Sequence, residues 1–200
     1  MKNIHKLLIV VIILLIIFLI FNYKKSISGN NISIKSKEKI IENILSGKIK
    51  YKAEIKVKII SNKNENIYVI NQKEDEKESY QEVISKGEIE GVKIFCTDDV
   101  LKVENSNLKI EKIYENYDIV TNDYLFLNNF AKDYLKNKDF QMEENDEYII
   151  IKIEIKYANK YIKFKELYLD KKTGKPIKLI IKDGDKQIKA SIEYINIEIL

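Results

Sequence analysis

The sequence predicts a mainly β (α+β) domain behind an N-terminal transmembrane helix. The expected domain is a curved antiparallel sheet, a half-barrel of about ten strands, with two short helices on its concave face. Three observations carry this reading. Tyr51, Ala53, Ile55, Val57 and Ile59 alternate with Lys50, Lys52, Glu54, Lys56 and Lys58, the period of a strand with one buried and one wet face. Strong strand-like runs fill residues 147–199 with only short turns between them, which gives a meander. Only two stretches show helical spacing. Two short helices can cover one face of a curled sheet and no more.

Leu7 to Phe21 is an unbroken apolar run of 15 residues flanked by lysines. That length lies between the apolar region of a signal peptide and a full membrane span. Asn22-Tyr23-Lys24-Lys25 provides no small-residue cleavage site and no Cys for lipid attachment. Residues 1–25 are therefore expected to be an uncleaved signal anchor, with the domain outside the membrane. Residues 26–35 contain Ser28-Gly29-Asn30-Asn31 and read as a tether. The domain is expected over 36–200.

Ser36 is the expected N-cap of a first helix, with Ile40, Ile41, Ile44 and Leu45 on its apolar face and Gly47 as its stop. The strand from Lys50 follows, then Ile67–Gln72, Tyr80–Ser85, Val92–Cys96, Val100–Glu104 and Leu108–Ile113. Asp98-Asp99 and Asn105-Ser106-Asn107 are turn residues between them. A second helix fits Tyr124–Leu135, with Asp123 as N-cap and Leu127, Phe130, Ala131, Tyr134 and Leu135 as its stripe. Four strands close the chain at Glu147–Tyr157, Tyr161–Asp170, Ile177–Lys182 and Gln187–Ile199.

Charge and composition exclude several functions. The chain has no Arg, so all 35 Lys+Arg are Lys, and bidentate guanidinium recognition is absent. Four of these lysines lie in residues 1–25, which carry no acid; 31 remain against 31 Asp+Glu. A neutral domain does not drive nucleic-acid binding by counterion release. His5 is the one histidine and Cys96 the one cysteine. That count rules out an internal disulfide or a His/Cys zinc site and leaves Cys96 without a base, as a small buried residue.

One set of residues imitates an acyl-serine enzyme: Ser36-x-x-Lys39, Tyr114-x-Asn116 and Lys172-Thr173-Gly174 occur in the order such enzymes use. With ten Ser and Lys at roughly one residue in six, chance alone gives about two S-x-x-K matches, and Ser106/Lys109 is the second. Asp170 and Pro176 bracket Lys172-Thr173-Gly174, which is turn chemistry. Glu143, Glu144, Asp146 and Glu147 form a polar loop without the spacing of a calcium site. Gly87 and Gly91 are isolated, so there is no phosphate loop. No catalytic, cofactor-binding or metal residue is assigned, and no binding residue is singled out.

Three stretches carry a resemblance. Val92 to Asn107, VKIFCTDDVLKVENSN, is similar to the central hairpin of the LolA-like lipoprotein-carrier superfamily. Leu125–Phe130, LFLNNF, resembles the helix after it. Leu167 to Asp183, followed by Ile192–Asn196, resembles its closing hairpin. Within the superfamily the runs SNKNENIY (Ser61–Tyr68), KIYENY (Lys112–Tyr117), LFLNNFAKDY (Leu125–Tyr134) and LYLDKKTGKP (Leu167–Pro176) look most like the clostridial germination lipoprotein GerS family. The resemblance implies a curved sheet with helices on its concave face and no catalysis or cofactor. It implies a protein that binds and supports a spore-cortex N-acetylmuramoyl-L-alanine amidase in sporulation and germination. The chain departs from that family in lacking the lipid-bearing cysteine after its signal, a place that a protein anchor would fill. The alternative is a carrier or sensor of lipid or lipoprotein acyl chains, held as an apolar ligand on the concave face.

Overall fold

The computed structural model describes residues 37–61, 64–75, 78–97, 100–105, 107–115, 125–137, 139–159 and 162–200. The expected anchor and tether lie outside the described residues, as do Ser36, Asp98, Asp99, Ser106, Asn116 and Asp123. Among the described residues no helix is long and apolar enough to cross a membrane. Ile40–Leu200 form one compact unit.

Helix α1 covers residues 37–45. It ends as the glycine predicts. Gly47 takes φ 69°, its N–H donates to the Ile44 carbonyl at 3.1 Å, and Lys48 N–H donates to the Asn43 carbonyl at 2.9 Å. These are the paired bonds of a Schellman cap, which a residue with a Cβ forms at a cost. Six strands follow: β1 (Tyr51–Ile60), β2 (Glu65–Glu74), β3 (Ser79–Val83), β4 (Val92–Cys96), β5 (Val100–Asn105) and β6 (Ile110–Glu115). Helix α2 (Leu127–Lys136) separates them from β7 (Phe140–Glu144), β8 (Tyr148–Asn159), β9 (Ile162–Asp170), β10 (Pro176–Lys182) and β11 (Ile188–Ile199).

All 11 strands join one antiparallel sheet in the order β6-β5-β4-β3-β2-β1-β11-β10-β9-β8-β7. Two meanders therefore meet at the centre, where β1 pairs with β11, and the chain crosses from edge β6 to edge β7 through α2. Register slips by one residue between β1 and β11 at Glu54/Ile55, and again between β10 and β11 at Ile181/Lys182. Such bulges bend and twist a sheet, and this one curves around its helices.

The alternation in β1 does what its period requires. Tyr51, Ala53, Ile55 and Val57 are buried, and Lys52 and Lys56 are exposed. The core continues through Ile149, Ile151, Leu167, Leu169, Leu179, Ile181 and Ile192, with Ile44 of α1 and Leu127 and Phe130 of α2 against it. Ile40, Ile41 and Leu45 add their partly buried side chains, so the predicted face of α1 is its packed face.

Three expectations need correction. The sheet has 11 strands rather than about ten. The additional strand is β7, and the supposed polar loop at Glu143–Glu147 is the end of β7 (Glu143, Glu144) and its turn. β7 is an edge whose five residues are all exposed, so little burial marks its period. The second helix starts at Leu127 with Phe126 as N-cap, not at Tyr124, and Phe126 makes no side-chain cap bond. The sixth strand starts at Ile110 rather than Leu108. Asn105 Oδ1 accepts the Asn107 and Leu108 N–H groups at 3.0 and 3.1 Å, and Lys109 takes φ 53°, which extends the turn.

The turn at Lys172-Thr173-Gly174 forms as read. Asp170 Oδ1 accepts from Lys172 N, Thr173 N and Thr173 Oγ1 at 3.1, 2.6 and 2.7 Å, and Gly174 takes φ 74°. These bonds, the Thr173 hydroxyl foremost, hold the Asp170 carboxyl below the usual carboxylate range.

Candidate functional site

Helix α2 lies against the inner face of the sheet, and side chains from the strands hold it there. Its first amides have no cap of their own, and an uncapped helix start leaves donors unsatisfied. Leu127 N–H donates to Tyr51 Oη at 3.4 Å and Asn128 N–H to Glu74 Oε2 at 3.4 Å. Tyr51 Oη in turn donates to Gln72 Oε1 at 2.8 Å, and Gln72 Nε2 donates to the Leu125 carbonyl at 3.4 Å. Strands β1 and β2 thus cap the helix from outside it, and a carboxylate at a helix N-terminus also meets the favourable end of the macrodipole. Burial, reinforced by Glu74, pushes the Tyr51 phenol well above its ordinary value, so it stays a neutral donor.

A second pin sits farther along. Lys165 on β9 is 1% exposed, and its Nζ donates to Asn129 Oδ1 at 2.5 Å and Asp133 Oδ2 at 2.6 Å. A buried ammonium requires such partners. Both carbonyl-bearing side chains come from the same face of α2, one turn apart, so the helix is fixed in rotation as well as position.

Beyond these pins, among the described residues, Gln81 Nε2, Asn128 Oδ1 and Tyr194 Oη are buried without a hydrogen-bond partner. Burial also raises the Tyr194 phenol. Apolar side chains pack beneath α2: Leu127 and Phe130 are fully buried in one cluster with Ile151, Leu167 and Leu169, and Ala131 is fully buried as well.

The exposed end of this arrangement is at the β7 edge. Leu135 at the end of α2 is 64% exposed, and Phe140 and Met142 on β7 are 42% and 52% exposed. Tyr134 joins them, its ring 4.9 Å from that of Phe140. Phe140 and Met142 pair with Ile153 and Ile151 of β8, so both point to the side of the sheet that carries α2. Exposed aromatic, Met and Leu side chains near a strand edge that has no further partner strand among the described residues are the composition of a protein-binding surface. Glu143 and Glu144 border it, and Lys152 and Lys171 pair with them at 2.6 and 3.1 Å.

Residues of the imitated enzyme motif do not gather here. Lys39 lies in α1, Tyr114 on β6 and Lys172-Thr173-Gly174 in the β9–β10 turn, while Ser36 and Asn116 lie outside the described residues. Cys96 is buried on β4. No cluster of His, Cys, Asp and Glu able to hold a metal occurs among the described residues. The external cap by Tyr51 and Glu74 escapes sequence reading, because it joins residues far apart in the chain. Its signal is Gln72 and Glu74 on the inward phase of β2, where apolar residues are expected.

A structure of the CwlD amidase in complex with the GerS lipoprotein from Clostridioides difficile contains a chain similar to this one, at 24% identity and TM-score 0.52, over 74% of this chain and 85% of that one. An uncharacterised conserved protein from Thermus thermophilus is similar at 11% identity and TM-score 0.52, over 84% and 88%. A LolA superfamily protein from Nitrosomonas europaea aligns at 11% identity and TM-score 0.42, over 82% and 94%. The first two share the fold. No curated protein sequence matches the chain. A family model described as sporulation protein YdcC-like matches residues 5–199, nearly the whole sequence, and this chain belongs to that family.

Proposed function

We propose that this protein is a non-enzymatic, membrane-anchored extracytoplasmic partner that binds a spore-cortex N-acetylmuramoyl-L-alanine amidase and supports its activity in sporulation and germination. The observation that carries the reading is membership of a sporulation family together with the fold of a chain from an amidase–lipoprotein complex. The docking surface is the Leu135, Phe140 and Met142 cluster with the free edge of β7. The run Leu7–Phe21 supplies the anchor, in place of a lipid. The apolar packing beneath α2 leaves no room there for an acyl chain, which favours this reading over a carrier.

The test is capture of the purified envelope amidase by the tagged full chain in detergent. Capture is expected, and loss of capture in a folded Leu135→Lys/Met142→Lys variant. A folded chain that retains none of the organism's cortex amidases overturns the reading.

A further inference from the structure

The outer face of the sheet, opposite the helices, carries a groove of about 550 Å³ across β11, β1, β2 and β3. It lies where β1 and β11 slip register at Glu54/Ile55, and such a slip adds local twist to the surface. Two neighbouring rungs of cross-strand pairs line it. One runs Glu198, Lys52, Lys73, Tyr80; the other runs Asn196, Glu54, Asn71. At ordinary strand spacing the longer rung spans about 14 Å, and the two rungs stand about 7 Å apart.

The chemistry of the lining narrows the ligand. Two lysines face two glutamates, so the groove has no net charge and does not select a polyanion. Every strand beneath it is paired on both sides, so no backbone edge is free to bind an extended peptide. What remains is a set of side-chain donors and acceptors. The side chains of Glu54, Asn71 and Asn196 make no hydrogen bond or ion pair with any described residue, and the two amides flank the carboxylate from adjacent strands. At one end Tyr80 is held rigid: its hydroxyl donates to Glu82 Oε2 at 2.8 Å and its ring packs 5.0 Å from Phe95. Burial and Glu82 push that phenol up to about 12, so it stays neutral.

A carboxylate between two amides, with a fixed aromatic ring at the end of a trough of no net charge, matches a ligand made of neutral rings bearing many hydroxyls. We propose that this groove binds a neutral oligosaccharide. It lies on the face opposite the amidase-docking cluster and does not depend on that assignment.

The probe is chitotetraose, titrated calorimetrically into the full chain in a detergent without sugar headgroups. Saturable binding is expected, weakened about tenfold or more by Asn71→Ala/Asn196→Ala, as for loss of two neutral hydrogen bonds. Glu54→Gln, which keeps the shape and removes the charge, should weaken it as well. Thermal unfolding and amidase capture should not change in either variant. No binding at millimolar chitotetraose, equal binding by the double variant, or binding of a heparin fragment or an extended peptide in its place each overturns the proposal.

Discussion

On the inner side of β8 to β11, alternate positions carry Ile149, Ile151, Ile153, Leu167, Leu169, Leu179, Ile181 and Ile192, all buried. On the inner side of β2 and β3, Gln72, Glu74 and Gln81 are buried beside the apolar Ile70 and Val83. Farther out, Ile94 of β4 and Leu101 and Val103 of β5 are only half-buried, and all of β6 is exposed. Apart from the Lys165 pin on α2, the β8 to β11 half of the sheet stabilises through apolar area, which is non-directional and tolerant. The other half adds directed bonds from Gln72 and Glu74 to the start of α2, which tolerate less because a lost partner strands a buried polar group. Between the halves, α2 takes its apolar packing from the first and its N-terminal cap from the second.

This contrast can be broken by measurement. The largest effect is expected at Leu167→Ala, about 2–5 kcal/mol from cavity formation, with Val103→Ala below about 1 kcal/mol. Equal losses in urea unfolding would erase the distinction. Next, Asp133→Ala should cost about 3 kcal/mol by leaving the Lys165 ammonium underpaired, and Asp133→Leu/Lys165→Met should recover most of it. Failure to recover would mean that packing, not charge, sets the cost. Glu74→Ala should cost about 1 kcal/mol, the size of a lost helix cap. It should speed hydrogen exchange at Asn128 more than in β8.

The smallest effects come from the turns. Asp170 is held low by Thr173 and its neighbouring amides, and Asp183 by Lys189 and the Gln187 amide. A folded value below the unfolded one gives stability that is complete above about pH 4 and is lost as the pH falls through the folded value. Asp170→Ala and Asp183→Ala should therefore flatten the acid limb of the stability curve. Tyr80 has the opposite sign. Its stabilisation is complete below about pH 10 and is lost as the pH rises through about 12. Lys172→Ala, in the same turn as Asp170 but exposed, should shift stability by less than about 0.5 kcal/mol at any pH.

The periodicity of β1 and of β8 to β11 is legible in the sequence because burial on one face imposes alternation on the residues themselves. The Gly47 stop and the Asp170–Gly174 turn are legible because few residues can adopt their geometry. β7 is not, since an exposed edge puts no apolar demand on its sequence. The start of α2 is hidden for a related reason. Its cap is provided by Tyr51 and Glu74, and a local search finds only Asp123. The docking cluster escapes because Leu135 reads as one more member of an apolar stripe, while only packing shows that Leu127, Phe130 and Ala131 fill the core and Leu135 is left outside.

The central pairing of β1 with β11 has a consequence for how the domain is made. Tyr51 lies opposite Ile199, so the middle of the sheet joins the first strand to the last. Contacts of such long sequence separation slow folding. During synthesis β1 has its partner β2 early, but its other edge stays open until β11 emerges. A nascent chain stopped before Ile188 exposes the apolar alternation of β1 as a free strand edge, the state in which aggregation competes with folding.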